Sequence, residues 1–275
     1  MEPLKSMQNN FIKYLVKLKK RKFREQEGRF IIEGTRFVEE ALKSGWPLES
    51  IIYSSDSAGV ERVAALLAGA VKENIKTVPV EKKILDELTS TESPQGVAAL
   101  CRIKRWEMDD LKISGGQARE NPLYVVLDGV SDPGNLGTII RSADAFGADG
   151  VFLMKGTVDL YNSKTLRATM GSVFHLPVLS NVRPAELMEK LTGGGVGLLV
   201  GVPEGGAPLN QLDLRRSLAL VVGSEADGPS RDLLSLPHEK VSIPMAGMAE
   251  SLNAGVAASI MLYEIARQSY MEVGG

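Results

Sequence analysis

Three short segments of this 275-residue chain gather residue types that do chemistry. Val241 to Gln268 reads as a short strand, a polar loop and a helix whose first turn carries Ser251, Leu252 and Asn253. A helix start offers unpaired N–H groups, so polar residues there point to capping and to a ligand held at the helix end. Gly223-Ser-Glu-Ala-Asp-Gly228 follows an apolar run. Gly223 permits close backbone approach to a ligand at a strand end, and Glu225 supplies a carboxylate able to orient Asn135 or Arg141. Asp132-Pro-Gly-Asn-Leu-Gly-Thr-Ile-Ile-Arg141 follows another strand, with Asn135 expected in the loop and Arg141 on the first helical turns. The competing reading of Arg141 is a surface salt bridge to Asp144, three residues on. For Ser251 and Asn253 it is N-capping alone, at about 1 kcal/mol.

These residues need a frame to hold them. Leu123 to Leu127, Gly150 to Met154, Val196 to Val200 and Leu218 to Val222 are nearly continuous apolar runs. Such runs suit parallel strands covered on both faces. Leu136 to Phe146 reads as the helix after the first of them. Upstream, short elements alternate: strand Phe30 to Ile32, helix Thr35 to Ser44, strand Leu48 to Tyr53, helix Val60 to Leu67, strand Ile75 to Val78, helix Ile84 to Leu88 and closing strand Gly96 to Cys101. That is a small α/β layer domain. Residues 105–121 mix charge with Gly115-Gly116 and read as a linker, with one helical turn around Trp106. Gly193-Gly194-Gly195 lacks the strand–helix context of a dinucleotide fingerprint and the Lys of a phosphate loop.

Composition narrows the class. Hydrophobic residues make up 44% and charged residues 24%, an ordinary soluble balance. The single Cys101 excludes an internal disulfide framework and fits a reducing compartment. No apolar run of signal-peptide type precedes the N-terminal basic residues. Residues 243–265 are apolar, but Pro244, Glu250, Asn253 and Glu264 break a membrane span, so no membrane association is expected. His175 and His238 have no metal-ligand spacing with a Cys or acidic partner, and no metal is expected. Residues 1–30 hold nine basic and three acidic residues, +6, leaving −8 for the rest of a chain whose total is −2. A basic end on an acidic chain points to phosphate backbone or to a solvated helix face.

The order and spacing of the three polar segments resemble the SpoU (TrmH) family of RNA ribose 2′-O-methyltransferases, over roughly Leu123 to Tyr270. Glu33-Gly34-Thr35-Arg36 and Pro94-Gln95-Gly96 add a resemblance to the L30e-like substrate-binding domain that often precedes it. The resemblance implies an α/β fold with a trefoil-knotted parallel-sheet methyltransferase domain at 122–275. A basic arm and L30e-like domain occupy 1–104, with the linker at 105–121. It implies S-adenosylmethionine as methyl donor, RNA as substrate, a homodimer through the C-terminal domain and a cytoplasmic setting. The domain pairing favours large-subunit ribosomal RNA over transfer RNA. Asn135-x-Gly-x-x-x-Arg141 matches the family's first motif, in which the Arg is catalytic, and Glu225, Ser251 and Asn253 complete the implied reacting site. Gly201, Gly223, Ile243 and Leu252 match its cofactor positions, contacted mostly through backbone, although at Gly201 the family carries a Thr. Guanidinium stays protonated, so Arg141 is expected to act electrostatically rather than as a base. The rival classes are a non-catalytic RNA-binding protein that kept the fold, which the intact polar set argues against, and a nucleotide-binding oxidoreductase, which the missing glycine fingerprint argues against.

Overall fold

The computed structural model describes residues 2–89, 95–111 and 121–270, and Pro94 and most of the expected linker lie outside them. The chain forms two compact units, one of Met1–Lys104 together with Tyr161–Leu166, the other of Arg105–Leu160 and Arg167–Gly275.

The first unit opens with two helices, α1 (Asn10–Lys17) and α2 (Arg21–Glu27). Asn9 caps α1 by accepting from the Phe11 N–H at 2.9 Å, and Gly28 ends α2 with φ 63°, a left-handed value glycine adopts without strain. Then come β1 (Arg29–Glu33), α3 (Thr35–Lys43), β2 (Leu48–Ser54), α4 (Glu61–Lys72), β3 (Lys76–Val80), α5 (Lys82–Leu88) and β4 (Val97–Arg102). The sheet order is β1-β4-β2-β3. β4 is the last strand of this unit in sequence yet lies between β1 and β2, antiparallel to both, so the expected closing strand is central. That position explains why Val97 to Cys101 are all buried.

The N-terminal basic stretch is not an arm. Ile12, Leu15 and Leu18 are at most 2% exposed and pack with Ile84, Leu85 and Leu88 of α5. Leu4 pairs with Val80 beyond them. The apolar spacing of α1 was masked by the lysines that share its sequence.

In the second unit β5 (Leu123–Asp128) leads to α6 (Pro133–Ala145) and β6 (Gly150–Met154); α7 (Ser163–Thr169) begins in the Tyr161–Leu166 segment of the first unit, and β7 (Val178–Val182) and α8 (Pro184–Gly193) come next. β8 (Gly197–Gly201), β9 (Ala207–Pro208), β10 (Leu218–Gly223), α9 (Arg231–Leu234), β11 (Glu239–Ser242) and α10 (Ala254–Tyr270) follow. The seven-stranded sheet runs β7-β6-β5-β10-β8-β11-β9, and every pairing is parallel. The α/β class with a parallel sheet is therefore as expected. Every residue of β5, β6 and β10 is buried, because helices cover both faces. Tyr124, Val126, Phe152, Val200 and Val221 form the core, and Leu111, from the expected linker, packs among them.

Parallel strands bring their carboxyl ends to one edge. In register, Gly223 of β10 lies beside Asp128 of β5, and Val221 beside Val200 of β8. The loops leaving these ends carry the three polar segments.

Candidate active site

Asp132 and Pro133 start α6. The Asp132 carboxylate accepts from the Asn135 N–H at 2.8 Å, and Pro133 has no N–H to satisfy. Asn135 is thus the third residue of the helix, not a loop residue. Arg141 sits about two turns into the same helix.

The Glu225 turn is built by its glycines. Ser224 and Gly228 exchange backbone hydrogen bonds of 3.1 and 3.0 Å, and Gly228 has φ 69°. A Cβ on Gly223 would lie 2.2 Å from backbone atoms of Gly228 and Pro229. Gly223 has no room for a side chain because this turn folds back on its own strand. Asp128, buried at the end of β5, accepts from the Ser230 N–H at 2.7 Å and pins the far side.

The start of α10 is set by Asn253. Its side-chain oxygen accepts from the N–H groups of Gly255 (3.0 Å) and Val256 (3.2 Å). The helix begins at Ala254, so Ser251 and Leu252 lie in the preceding loop and not in the first turn. α10 is held against α6 by a 2.7 Å hydrogen bond between the Ser142 and Ser259 hydroxyls. A Cβ on Gly255 would lie 3.2 Å from Thr138 of α6.

These three supports converge in one hydrogen-bond chain. Asn135 donates its side-chain N–H to Glu225 Oε1 at 2.8 Å, and Asn253 donates to Asn135 Oδ1 at 2.9 Å. The directions are forced. An ionised carboxylate only accepts, so Asn135 presents its NH2 to it and its oxygen to Asn253, whose own oxygen is then left for the helix N–H groups. Glu225 Oε2 also accepts from the Ser131 N–H (3.3 Å) and hydroxyl (3.2 Å). Burial raises the Glu225 carboxyl, but the hydrogen bonds from Asn135 and Ser131 outweigh it, and the net shift is downward. Glu225 is a carboxylate at neutral pH with both oxygens engaged. Ser131 was not legible as a site residue, since nothing but adjacency to the Asp132 segment marks it.

The structure joins Glu225, Asn135 and Asn253, and leaves the other expected residues outside that chain. Arg141 is exposed and forms no ion pair among the described residues. Asp144, its alternative partner, lies 3.0 Å from His175 Nδ1 instead. Ser251 is exposed in the loop. Ile243 is half-buried just after β11, and Leu252 is 36% exposed. A Cβ on Gly201 would lie 2.8 Å from Met261 Cε, so this glycine seats a side chain of α10.

The segments that would hold a cofactor follow neighbouring strands, β10, β8 and β11. On the loop after β11, Met245, Met248 and Leu252 are exposed apolar side chains. Apolar surface at the carboxyl edge of a parallel sheet suits a largely apolar ring system recognised through backbone groups. Among the described residues, no three His, Cys, Asp or Glu side chains are placed to hold a metal, and no helix is long and apolar enough to cross a membrane.

Comparison with known proteins bears on the whole length. Residues 122–263 match the SpoU rRNA Methylase family, and residues 9–99 match the MRM3-like substrate binding domain. The chain is 35% identical over 265 residues to the 23S rRNA (guanosine(2553)-2'-O)-methyltransferase RlmP of Bacillus subtilis, covering 96% of this chain and 99% of that one. It is 34% identical to the 23S rRNA (uridine(2479)-2'-O)-methyltransferase of Streptomyces viridochromogenes, covering 89% and 85%. Among solved structures, the SpoU methyltransferase AviRb of Streptomyces viridochromogenes in complex with AdoMet aligns with a TM-score of 0.85 at 30% identity, covering 98% and 100%. The AdoMet-bound rRNA methyltransferase of Sinorhizobium meliloti aligns at 0.84 and 31%, covering 97% of each chain.

Proposed function

The chain belongs to the SpoU rRNA Methylase family, and from that premise we propose that it transfers a methyl group from S-adenosylmethionine to a ribose 2′-hydroxyl of large-subunit ribosomal RNA. The observation that carries this reading is the Glu225–Asn135–Asn253 hydrogen-bond chain, which ties together the loops after β5, β10 and β11.

S-adenosylmethionine supplies an electrophilic methyl group on a sulfonium centre. Gly201, Gly223, Ile243 and Leu252 would hold it, mostly through backbone groups, beside the exposed apolar side chains of the loop after β11. Arg141 is the residue that meets the RNA. A guanidinium offers only donors, so Arg141 does not abstract the hydroxyl proton, which passes to solvent water as the methyl group transfers. It holds the adjoining phosphate or the alkoxide that develops at the ribose oxygen, which a planar fork does better than a point charge. Glu225 is not the base, because hydrogen bonds occupy both its oxygens and lower its basicity. It fixes Asn135, Asn135 fixes Asn253, and Ser251 lies on the loop that Asn253 anchors.

Three further properties belong to this reading. The C-terminal segment is knotted as a trefoil, supported by α10 returning after β11 to pack on α6 through Ser142–Ser259 and Phe146–Tyr263. The protein is a homodimer through this unit, supported by the stripe of exposed apolar residues Val256, Ile260 and Tyr263 along α10. It works in the cytoplasm, where its ribosomal substrate is. The domain division is that of an RNA-binding part at 1–104 and a methyltransferase part at 122–275.

Calorimetry with S-adenosylmethionine, S-adenosylhomocysteine and NAD, followed by transfer of labelled methyl to a 23S rRNA transcript, tests the proposal. The expected result is binding of both S-adenosyl ligands and label on ribose. Binding of NAD alone, or label on a base, would overturn it.

A further inference from the structure

The strongest concentration of positive charge lies in residues 1–30, and folding removes part of it from view. Arg24 is 7% exposed, and its Nη1 donates to the carbonyls of Leu18 and Lys19, each at 2.8 Å. Arg29 pairs with Glu49 at 2.7 Å and Arg21 with Glu25 at 2.7 Å. Lys5 lies 3.7 Å from Glu2, and Lys19 Nζ donates to the Glu87 carbonyl of α5. Lys13, Lys17, Lys20 and Lys22 remain exposed, with no acidic partner among the described residues.

The backbone under these lysines is tightly hydrogen-bonded. Lys19 N–H donates to Val16 at 3.2 Å, Lys20 to Lys17 at 3.0 Å, and Phe23 and Arg24 both to Lys20 at 3.1 Å. α1 therefore passes into α2 through a compact knuckle, closed from beneath by Arg24 and rooted by the buried Leu15 and Leu18. Lys17 Nζ lies over the Phe23 ring, 5.8 Å from its centre, a cation–π contact that steadies an otherwise exposed ammonium group. A ligand bound here does not have to order a floppy tail, which removes the conformational entropy cost that a disordered basic arm carries.

We infer that the knuckle from Lys17 to Lys22 is a preformed contact for the phosphate backbone of the RNA substrate. This rests on the RNA reading above. Charge complementarity carries it: exposed lysines without acidic partners sit on fixed backbone, in a chain whose remainder is net negative. Lys17, Lys20 and Lys22 present ammonium groups as point charges, which suit backbone binding without sequence readout.

The test is the full-length triple variant Lys17→Ala, Lys20→Ala, Lys22→Ala, checked for an unchanged melting temperature. Its affinity for a 23S rRNA transcript is measured from about 50 to 200 mM salt. Each lost phosphate contact removes a slope of about 0.7 to 0.9 in log K against log salt, so the slope is expected to become shallower by about 2 to 3. KM for RNA is expected to rise while kcat and S-adenosylmethionine affinity hold. An unchanged slope and KM, in a protein that still methylates the transcript, would make the knuckle a solvated helix face and leave the enzymatic reading intact. A wild type that binds S-adenosylmethionine but neither binds nor methylates RNA would overturn that reading, and this inference with it.

Discussion

Two glutamates, one in each unit, are held below the ordinary carboxylate range by opposite means. Hydrogen bonds from the Arg29 guanidinium, then from Arg102, lower Glu49 against its burial. Its charge is cancelled where it stands, at 2.7 and 2.5 Å from the two arginines. At Glu225 burial acts upward, and hydrogen bonds from Asn135 and Ser131 overcome it without cancelling the charge. Arg141 in the same unit has no ion pair among the described residues. Paired charges of the first kind stiffen a fold. Uncharged donors fix Glu225 without spending a cation on it, which leaves the charge of Arg141 uncancelled for a substrate, and that is the arrangement a reacting site needs.

The sharpest way to break this comparison is Arg141→Ala. A guanidinium reserved for the reacting ribose or its phosphate is worth roughly 10²–10³ in turnover. Cofactor affinity should be little changed, and Arg141→Lys should rescue poorly for want of the fork. Full turnover in the Ala variant would return Arg141 to the surface.

Gly223→Ala attacks the Glu225 turn from within. A methyl 2.2 Å from the Gly228–Pro229 backbone forces the turn off its strand. The expected cost is about 1–3 kcal/mol of stability with loss of turnover, read by thermal melting and by methyl transfer. An unchanged variant would show that the turn has slack.

Glu225→Gln keeps the shape and removes the charge. About tenfold in turnover is expected, roughly the worth of a hydrogen bond to a charged group over a neutral one. The pH dependence separates it further. The folded carboxyl lies below its ordinary 4.5, so its contribution is present above that value and fades as the pH falls through the lowered one. The melting-temperature difference from wild type should be constant above about pH 5 and shrink in acid. A difference that grows in acid would contradict the downward shift.

The smallest effect is expected at Glu49→Gln. Glu49 is partly exposed and Arg102 largely so, so at most about 1 kcal/mol of stability should go, with turnover per folded molecule unchanged. A large loss of turnover would erase the contrast between the two carboxylates.

What was legible in the chain follows the physics of each part. Strands β5, β6, β8 and β10 are apolar on both faces, and such runs announce themselves. The polar site segments were legible as types and spacings, but not their connections. That Asn135 bridges Glu225 and Asn253 depends on strands far apart in sequence lying side by side. That Gly223 and Gly201 also pack closely against other parts of the chain was not legible, since their neighbours, Pro229 and Met261, come from the fold. The helix pair α1–α2 went unread because lysines surround Ile12, Leu15 and Leu18. The central place of β4 is a matter of pairing, which a strand's own residues do not encode. The polar contact of Ser142 with Ser259 left no local signal.

The central claim is that this chain methylates a ribose of ribosomal RNA through Arg141 and the Glu225–Asn135–Asn253 chain. The most direct measurement maps 2′-O-methyl groups across large-subunit ribosomal RNA from cells with the gene intact, deleted, and restored as wild type or as Arg141→Ala. The account predicts one ribose whose methyl group disappears on deletion, returns with the wild type and fails to return with Arg141→Ala. Ribosomal RNA with the same methyl groups in all four strains would contradict it.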